Sequence, residues 1–289
     1  MTSRVKKRYL VLSASLLILT ISGCVSYYPN TNAKLNLDEP IVLPDALEET
    51  SGLYCGASEL LSLNDSGNKA DIFRLSYDGS LMSSVRLPLT NVDWEALSAS
   101  DTHWYVADVG NNKGNRTQLT IHKIDNRALD NITSLSITYD GYNPSSNTPY
   151  AHDYDAEAMV KKDDQLLLFS KSWRTGVAKV YLVDESVAQQ SLQPIATVKG
   201  LPGVITGVDY DKTRNVFALV GYKSDPFGNF ATFMAQLNTD FEVINIWPLS
   251  DYKQVEGICV DVHGAYWFTE EATEGRKASL TRGWVEPQL

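Results

Sequence analysis

The chain has 289 residues, of which 43% are hydrophobic and 21% charged, values that exclude a disordered chain and a polytopic membrane protein. Its 25 basic and 35 acidic residues give a net charge of −10, which repels phosphate backbones and argues against nucleic acid as a partner. Cations are the favoured counter-charge.

In chain order, Arg4, Lys6, Lys7 and Arg8 precede an apolar run from Leu10 to Ile21 and then Ser22-Gly23-Cys24. This pattern predicts a signal peptide over residues 1–23. The run is too short for the roughly 20 residues that span a bilayer. Thr20-Ile21-Ser22-Gly23-Cys24 resembles a bacterial lipobox, which implies lipidation (palmitate included) at Cys24; the alternative is an ordinary secretory signal with a chance cysteine. Cleavage there removes four basic residues and no acidic one, taking the net charge from −10 to −14. The expected partner is the membrane, reached through the lipid. Val25 in place of aspartate points, by resemblance to enteric sorting, to the outer membrane facing the periplasm, or to the cell membrane in a single-membrane host. A polar tether is expected over residues 24–34, and one folded domain over 35–289. Cys55 and Cys259 remain; free buried thiols are the plainer expectation and a disulfide the alternative.

The remainder reads as short apolar runs divided by Gly, Asn, Asp and Pro, so an all-β fold is predicted and internal repeats are the first thing to seek. Glu49-Thr-Ser-Gly52, Asp93-Trp-Glu-Ala96, Asp155-Ala-Glu-Ala158, Val204-Ile-Thr-Gly207 and Gln254-Val-Glu-Gly257 each end on a small residue followed by an apolar one. These pivots are spaced by 44, 62, 49 and 50 residues, near the period of four-stranded propeller blades. Second strands are expected at Leu60–Leu63, Trp104–Ala107, Leu166–Phe169, Val216–Val220 and Tyr266–Thr269. Third strands follow at Ile72–Leu75, Leu119–Ile124, Lys179–Val183, Thr232–Ala235 and Ala278–Thr281. Fourth strands at Ser84–Leu87, Leu135–Tyr139, Ile195–Val198 and Val243–Trp247 leave the last blade one short. Ile41-Val-Leu43 supplies it from the N-terminus, closing a ring that removes free sheet edges. The prediction is a five-bladed β-propeller, with a sixth blade in the long interval after Asp93 as the alternative.

The first strand of each blade lines the axis, and residues two apart share a face. One position before the pivots stand Ser51, Glu95, Glu157, Thr206 and Glu256; three before stand Glu49, Asp93, Asp155, Val204 and Gln254. Twelve or thirteen past them stand Asp65, Asp108, Lys171 and Glu270. Asp65-Ser-Gly67-Asn68 and Asp108-Val-Gly110-Asn111 share a loop motif in which Asp and Asn offer oxygen atoms. Hence the candidate ligands of a hard cation, calcium first, are Glu49, Asp65, Asp93, Glu95, Asp108, Asp155, Glu157 and Glu256, with Asn68, Asn111 and Glu270 as further ligand contacts. The alternative is that these groups cap turns and strand starts. Zinc is disfavoured, since no pair of the four histidines has metal-binding spacing.

Glu49-Thr-Ser-Gly-Leu, Asn64-Asp-Ser-Gly-Asn68, Asp93-Trp-Glu-Ala-Leu97, Ala107-Asp-Val-Gly-Asn-Asn112 and Asp155-Ala-Glu-Ala158 resemble the bacterial propellers called SdiA-regulated or esterase-like phytase proteins. The resemblance implies an exported propeller, in some members carrying a divalent cation. A more distant similarity, resting on Glu256-Gly257 alone, is to calcium-dependent gluconolactonase-like propellers.

Two functions follow. One is an envelope binding module presenting the acidic mouth to a small-molecule ligand or protein. The other is a cation-dependent hydrolase of an ester, lactone or phosphoester, with Glu157 or Asp155 activating water, Lys171 orienting an anionic group and His152 near the site. No recognised catalytic motif is present, which favours binding.

Overall fold

The computed structural model describes residues 33–225 and 227–286, so the expected signal peptide and Cys24 lie outside the described residues. Two short strands open it, β1 (Leu35–Leu37) and β2 (Ile41–Val42). Blade one follows with β3 (Thr50–Cys55), β4 (Leu60–Asn64), β5 (Asp71–Leu75) and β6 (Leu81–Arg86). Blade two has β7 (Trp94–Ala99), β8 (His103–Asp108), β9 (Leu119–Asp125) and β10 (Ile132–Tyr139). Blade three has β11 (Ala156–Lys162), β12 (Gln165–Ser170), β13 (Ala178–Val183) and β15 (Pro194–Val198), while the intervening β14 (Gln189–Leu192) joins the sheet of blade two. Blade four has β16 (Val204–Asp211), β17 (Val216–Ser224), β18 (Phe230–Leu237) and β19 (Val243–Pro248). Blade five has β20 (Val255–Val260), β21 (Tyr266–Glu270) and β22 (Ser279–Val285).

Each blade is an antiparallel meander, and the ring closes as the repeat demands: β1 and β2 both pair antiparallel with β22. The closing strand is broken in two, with Leu35 opposite Val285 and Ile41 opposite Leu280. No sixth blade is present among the described residues; residues 141–149 form turns and loop. One strand was not anticipated. After β13 the chain crosses to the neighbouring blade, where β14 pairs parallel with β10, and only then returns as β15. Ala33, placed by the sequence in the tether, is buried, and its carbonyl accepts a bond from Trp247 Nε1 at 2.8 Å.

Each sheet is apolar on both faces because each blade is packed between two others, and the apolar side chains fall into five clusters, one per junction. Leu61, Ile72, Trp94 and Trp104 fill the junction of blades one and two, while Leu43, Leu47, Phe73, Trp267 and Leu280 fill that of blades five and one. Cys55 on β3 and Cys259 on β20 form a disulfide across this last junction, with a Cα–Cα distance of 5.4 Å. That overturns the free-thiol expectation: ring closure brings together residues 204 apart in sequence. Among the described residues no helix is long and apolar enough to cross a membrane.

Candidate functional site

All five inner strands carry a register irregularity at the pivot, between Thr50 and Leu53, Trp94 and Ala96, Ala156 and Ala158, Ile205 and Gly207, and Val255 and Ile258. A bulge of this kind re-aims a side chain. Here it turns Ser51, Glu95, Glu157, Thr206 and Glu256 toward the axis, where they encircle a space of about 10 Å³. The pivots are small because neighbouring inner strands touch; a Cβ on Gly257 would stand 2.6 Å from Ser51 O. The two hydroxyls of the ring bond onward to the next blade, Ser51 to Glu95 O at 2.8 Å and Thr206 to Val255 O at 2.5 Å. The three glutamates instead project into a mouth of about 170 Å³.

The second strands return to this mouth at positions marked by a shared hydrogen bond. Asp65, Gly110, Lys171 and Glu271 each donate their backbone N–H to the carbonyl three before a pivot, those of Glu49, Asp93, Asp155 and Gln254, and Tyr222 lies opposite Val204 in blade four. The offsets from the pivots are therefore 13, 14, 13, 15 and 14 residues. A fixed count of twelve or thirteen reaches Asp65 and Lys171 but misses elsewhere. Glu271, not Glu270, lines the mouth; Glu270 is fully buried, bonded to Lys253 N and paired with Arg276 at 3.0 Å. In blade two the position is Gly110, where a Cβ would collide with the carboxylates of Glu95 and Asp93.

Of the eight candidate cation ligands, Asp65, Asp93 and Glu95 each place a carboxylate oxygen within 4.8 Å of the others. The other five lie outside that group of three. Asp108 receives the N–H groups of Val92 and Asp93 and pairs with Arg116. Asp155 receives Asn111 N at 2.6 Å and Trp173 Nε1 at 2.8 Å. Asp108 thus caps the entry to β7, the plainer alternative for that residue, while Asp155 ties the loop after β8 to Trp173. Glu49 is exposed and bonded to Asn68, whose amide also reaches Asp65 O. Asn111 is buried and clasps Tyr142 and Tyr154 O. Glu157 is bonded to Lys171, and Glu256 lines the mouth beside Tyr222. His152 is buried below the rim, its Nδ1 accepting from Tyr154 N and its Nε2 meeting Asn112 O at 3.2 Å, so both ring nitrogens are engaged.

Electrostatics follow from this crowding. Burial, then Glu157 and Asp65, push the Glu95 carboxyl well above the usual range, and burial does the same to Glu256. Asp65 is raised to about 6, chiefly by burial, and Glu271 to about 8 by burial and by Asp65 and Glu157. Burial alone would lower Lys171, but Glu157 and its neighbours hold it firmly protonated. Its ammonium sits 4.8 Å from the Trp173 ring and 5.3 Å from that of Tyr222. Among the described residues nothing donates to the Glu95 carboxylate, which is only 5% exposed.

Sequence reasoning missed Glu271, Arg116, Trp173, Tyr150, Tyr222 and Asn112, most of which reach the mouth from loops that carry no repeat. For Glu271 the signal was adjacent, in the Glu270-Glu271 pair; for Asn112 it was the Asn111-Asn112 pair.

Five sheets of four or five strands around an axis with an acidic mouth define a five-bladed β-propeller. No family model matches the chain and no curated protein matches it. Solved structures similar to it are β-propellers. A glucose dehydrogenase is 10% identical with a TM-score of 0.51, covering 86% of this chain and 98% of that one. A glucose dehydrogenase from Thermus thermophilus is 10% identical at 0.50, covering 87% and 100%. Virginiamycin B lyase from Staphylococcus aureus is 16% identical at 0.43, covering 85% and 69%. At such identities the likeness concerns the fold alone.

Proposed function

We propose that this chain is a lipid-anchored envelope propeller that binds a ligand through its axial mouth, with a divalent cation, calcium first, held by Asp65, Asp93 and Glu95. The observation that carries the reading is Glu95, a nearly buried carboxylate without a hydrogen-bond donor, set beside two others and against a glycine that leaves it room. A buried unpaired charge is costly, and a cation roughly 2.3–2.6 Å from each oxygen would offset that cost. Three carboxylates leave further coordination positions for a ligand or water, since calcium takes about 6–8 oxygens.

Binding is favoured over hydrolysis because Glu157 is tied to Lys171 and Asp155 to Asn111 and Trp173. Neither stands free to take a proton from water. The anchor rests on the lipobox at Cys24, and the motif resemblance to SdiA-regulated and esterase-like phytase proteins is part of the same reading.

The test is metal analysis of the full-length protein, with melting curves in calcium and in chelator. Calcium binding to the folded state alone raises the melting temperature. Glu95→Gln should remove that dependence and Asp240→Asn, on an exposed turn, should keep it. No bound cation and an unmoved curve would defeat the cation reading. Separately, Cys24→Ala should lose membrane anchoring, and a processed, normally anchored variant would contradict lipidation.

A further inference from the structure

Beside the three carboxylates, the mouth has a second half of different chemistry. Its wall is Trp173 with Tyr150 perpendicular to it, ring centroids 5.5 Å apart and interplanar angle 83°. Tyr150 is 58% exposed and has a φ of 55°, a conformation uncommon for a bulky side chain. A bond from its own N–H to Asn112 O at 2.9 Å helps fix it there. Such an outlier at a cavity is a reason to ask about function. The mouth is also lined by Glu256, Glu271 and Gln254, with Gln254 Nε2 donating to Glu271 at 2.9 Å.

Three kinds of ligand can be weighed. An anion would meet Glu95, Glu256 and Glu271 across a narrow cavity, and their repulsion disfavours it. An organic ammonium would want the aromatic cage of Trp173 and Tyr222, but Lys171 already fills it with its own ammonium. What remains is a neutral ligand rich in hydrogen-bond donors, because the carboxyls of Glu271 and Glu256 keep acceptor lone pairs beyond their bonds to Gln254 and Tyr222. The exposed ring of Tyr150 asks for polarised C–H groups, which the negative face of a ring attracts. Hydroxyls around a carbon ring supply both. At about 170 Å³ the mouth is well below the roughly 300–1,000 Å³ of drug-sized pockets, so it takes one ring and not a chain of them.

We propose that the Trp173 and Tyr150 side of the mouth binds a neutral monosaccharide-sized polyol, its C–H face on the exposed ring of Tyr150 and its hydroxyls donating to Glu256 and Glu271. This rests on the mouth being the ligand site, and does not require the cation.

The experiment is a tryptophan-fluorescence titration of the full-length protein in a detergent without a sugar headgroup. The probes are D-glucose, D-galactose and N-acetyl-D-glucosamine, with n-butylamine and D-glucuronate as charged comparators. At least one neutral sugar should saturate at lower concentration than either comparator. Tyr150→Ser should weaken it at least tenfold with an unchanged melting temperature, and Asp240→Asn should leave it unaltered. Saturation by butylamine or glucuronate ahead of every neutral sugar, or no saturation by any sugar, would overturn the inference. Calcium melting curves on the same samples separate the two readings. Calcium stabilisation without sugar binding removes the polyol alone, and sugar binding without calcium stabilisation removes the cation alone.

Discussion

The Lys171 ammonium is bonded to the Glu157 carboxylate across the floor of the mouth, and both side chains are at least nine-tenths buried. Removing one partner of such a pair leaves the other charge uncompensated, at a cost of about 3–5 kcal/mol, whereas removing both is far milder. Lys171→Met should therefore destabilise strongly in urea unfolding at neutral pH. Adding Glu157→Gln should recover most of the loss. A single variant as stable as the parent would show that water or a bound cation already compensates Glu157.

The Cys55–Cys259 bond ties the inner strand of blade one to that of blade five. A crosslink that closes so long a loop stabilises by about 2–5 kcal/mol. Cys55→Ser, or reduction of the parent, should lower the melting temperature, and reductant should not lower that of the variant further. A melting curve indifferent to both would mean that the apolar junction alone holds the ring.

Ring closure also depends on the N-terminal segment, and its residues should differ in importance. Leu43 is buried against Leu47, Trp267 and Leu280, so Leu43→Ala should cost about 2–5 kcal/mol. Asn36 and Asp38 meet Glu286 and Arg282 near the surface, and alanine there should cost about 0.5 kcal/mol or less. Removal of residues 35–43 strips the outer edge from β22 and should unfold the domain cooperatively. Retention of the parent melting temperature after that removal would refute closure by this segment.

The raised carboxyls of the mouth give stability a definite pH dependence. Glu271 moves from 4.5 to about 8 and Asp65 from 3.8 to about 6 on folding, both chiefly through burial. Between those limits the folded state holds more protons than the unfolded one, so stability falls as pH rises. In chelator, the melting temperature should be higher near pH 5 than near pH 8. Glu271→Gln should flatten the upper part of that slope, from about pH 6 to 8. Calcium should offset the part due to Asp65. A chelated protein whose stability rises from pH 5 to 8 would contradict the crowding of these groups.

The sequence by itself determined the fold, because the repeat is local. A small residue at Gly52, Ala96, Ala158, Gly207 and Gly257 records the close approach of each inner strand to the next, and the lone run at Ile41–Leu43 records the unfilled edge of β22. The ring of Ser51, Glu95, Glu157, Thr206 and Glu256 follows from the same count. Tertiary structure alone decided which carboxylates share the mouth. The bulge at each pivot and the uneven hairpins vary the distance to the rim from 13 to 15 residues, and in a strand a slip of one residue turns a side chain to the opposite face. That is why Glu271 stands in the mouth and Glu270 behind it. Asp108 and Asp155 are held by Arg116, Asn111 and Trp173, loop residues whose partners no periodicity encodes. The Cys55–Cys259 bond and the crossing of β14 to β10 belong to the same class, since each joins segments that only the closed ring makes neighbours.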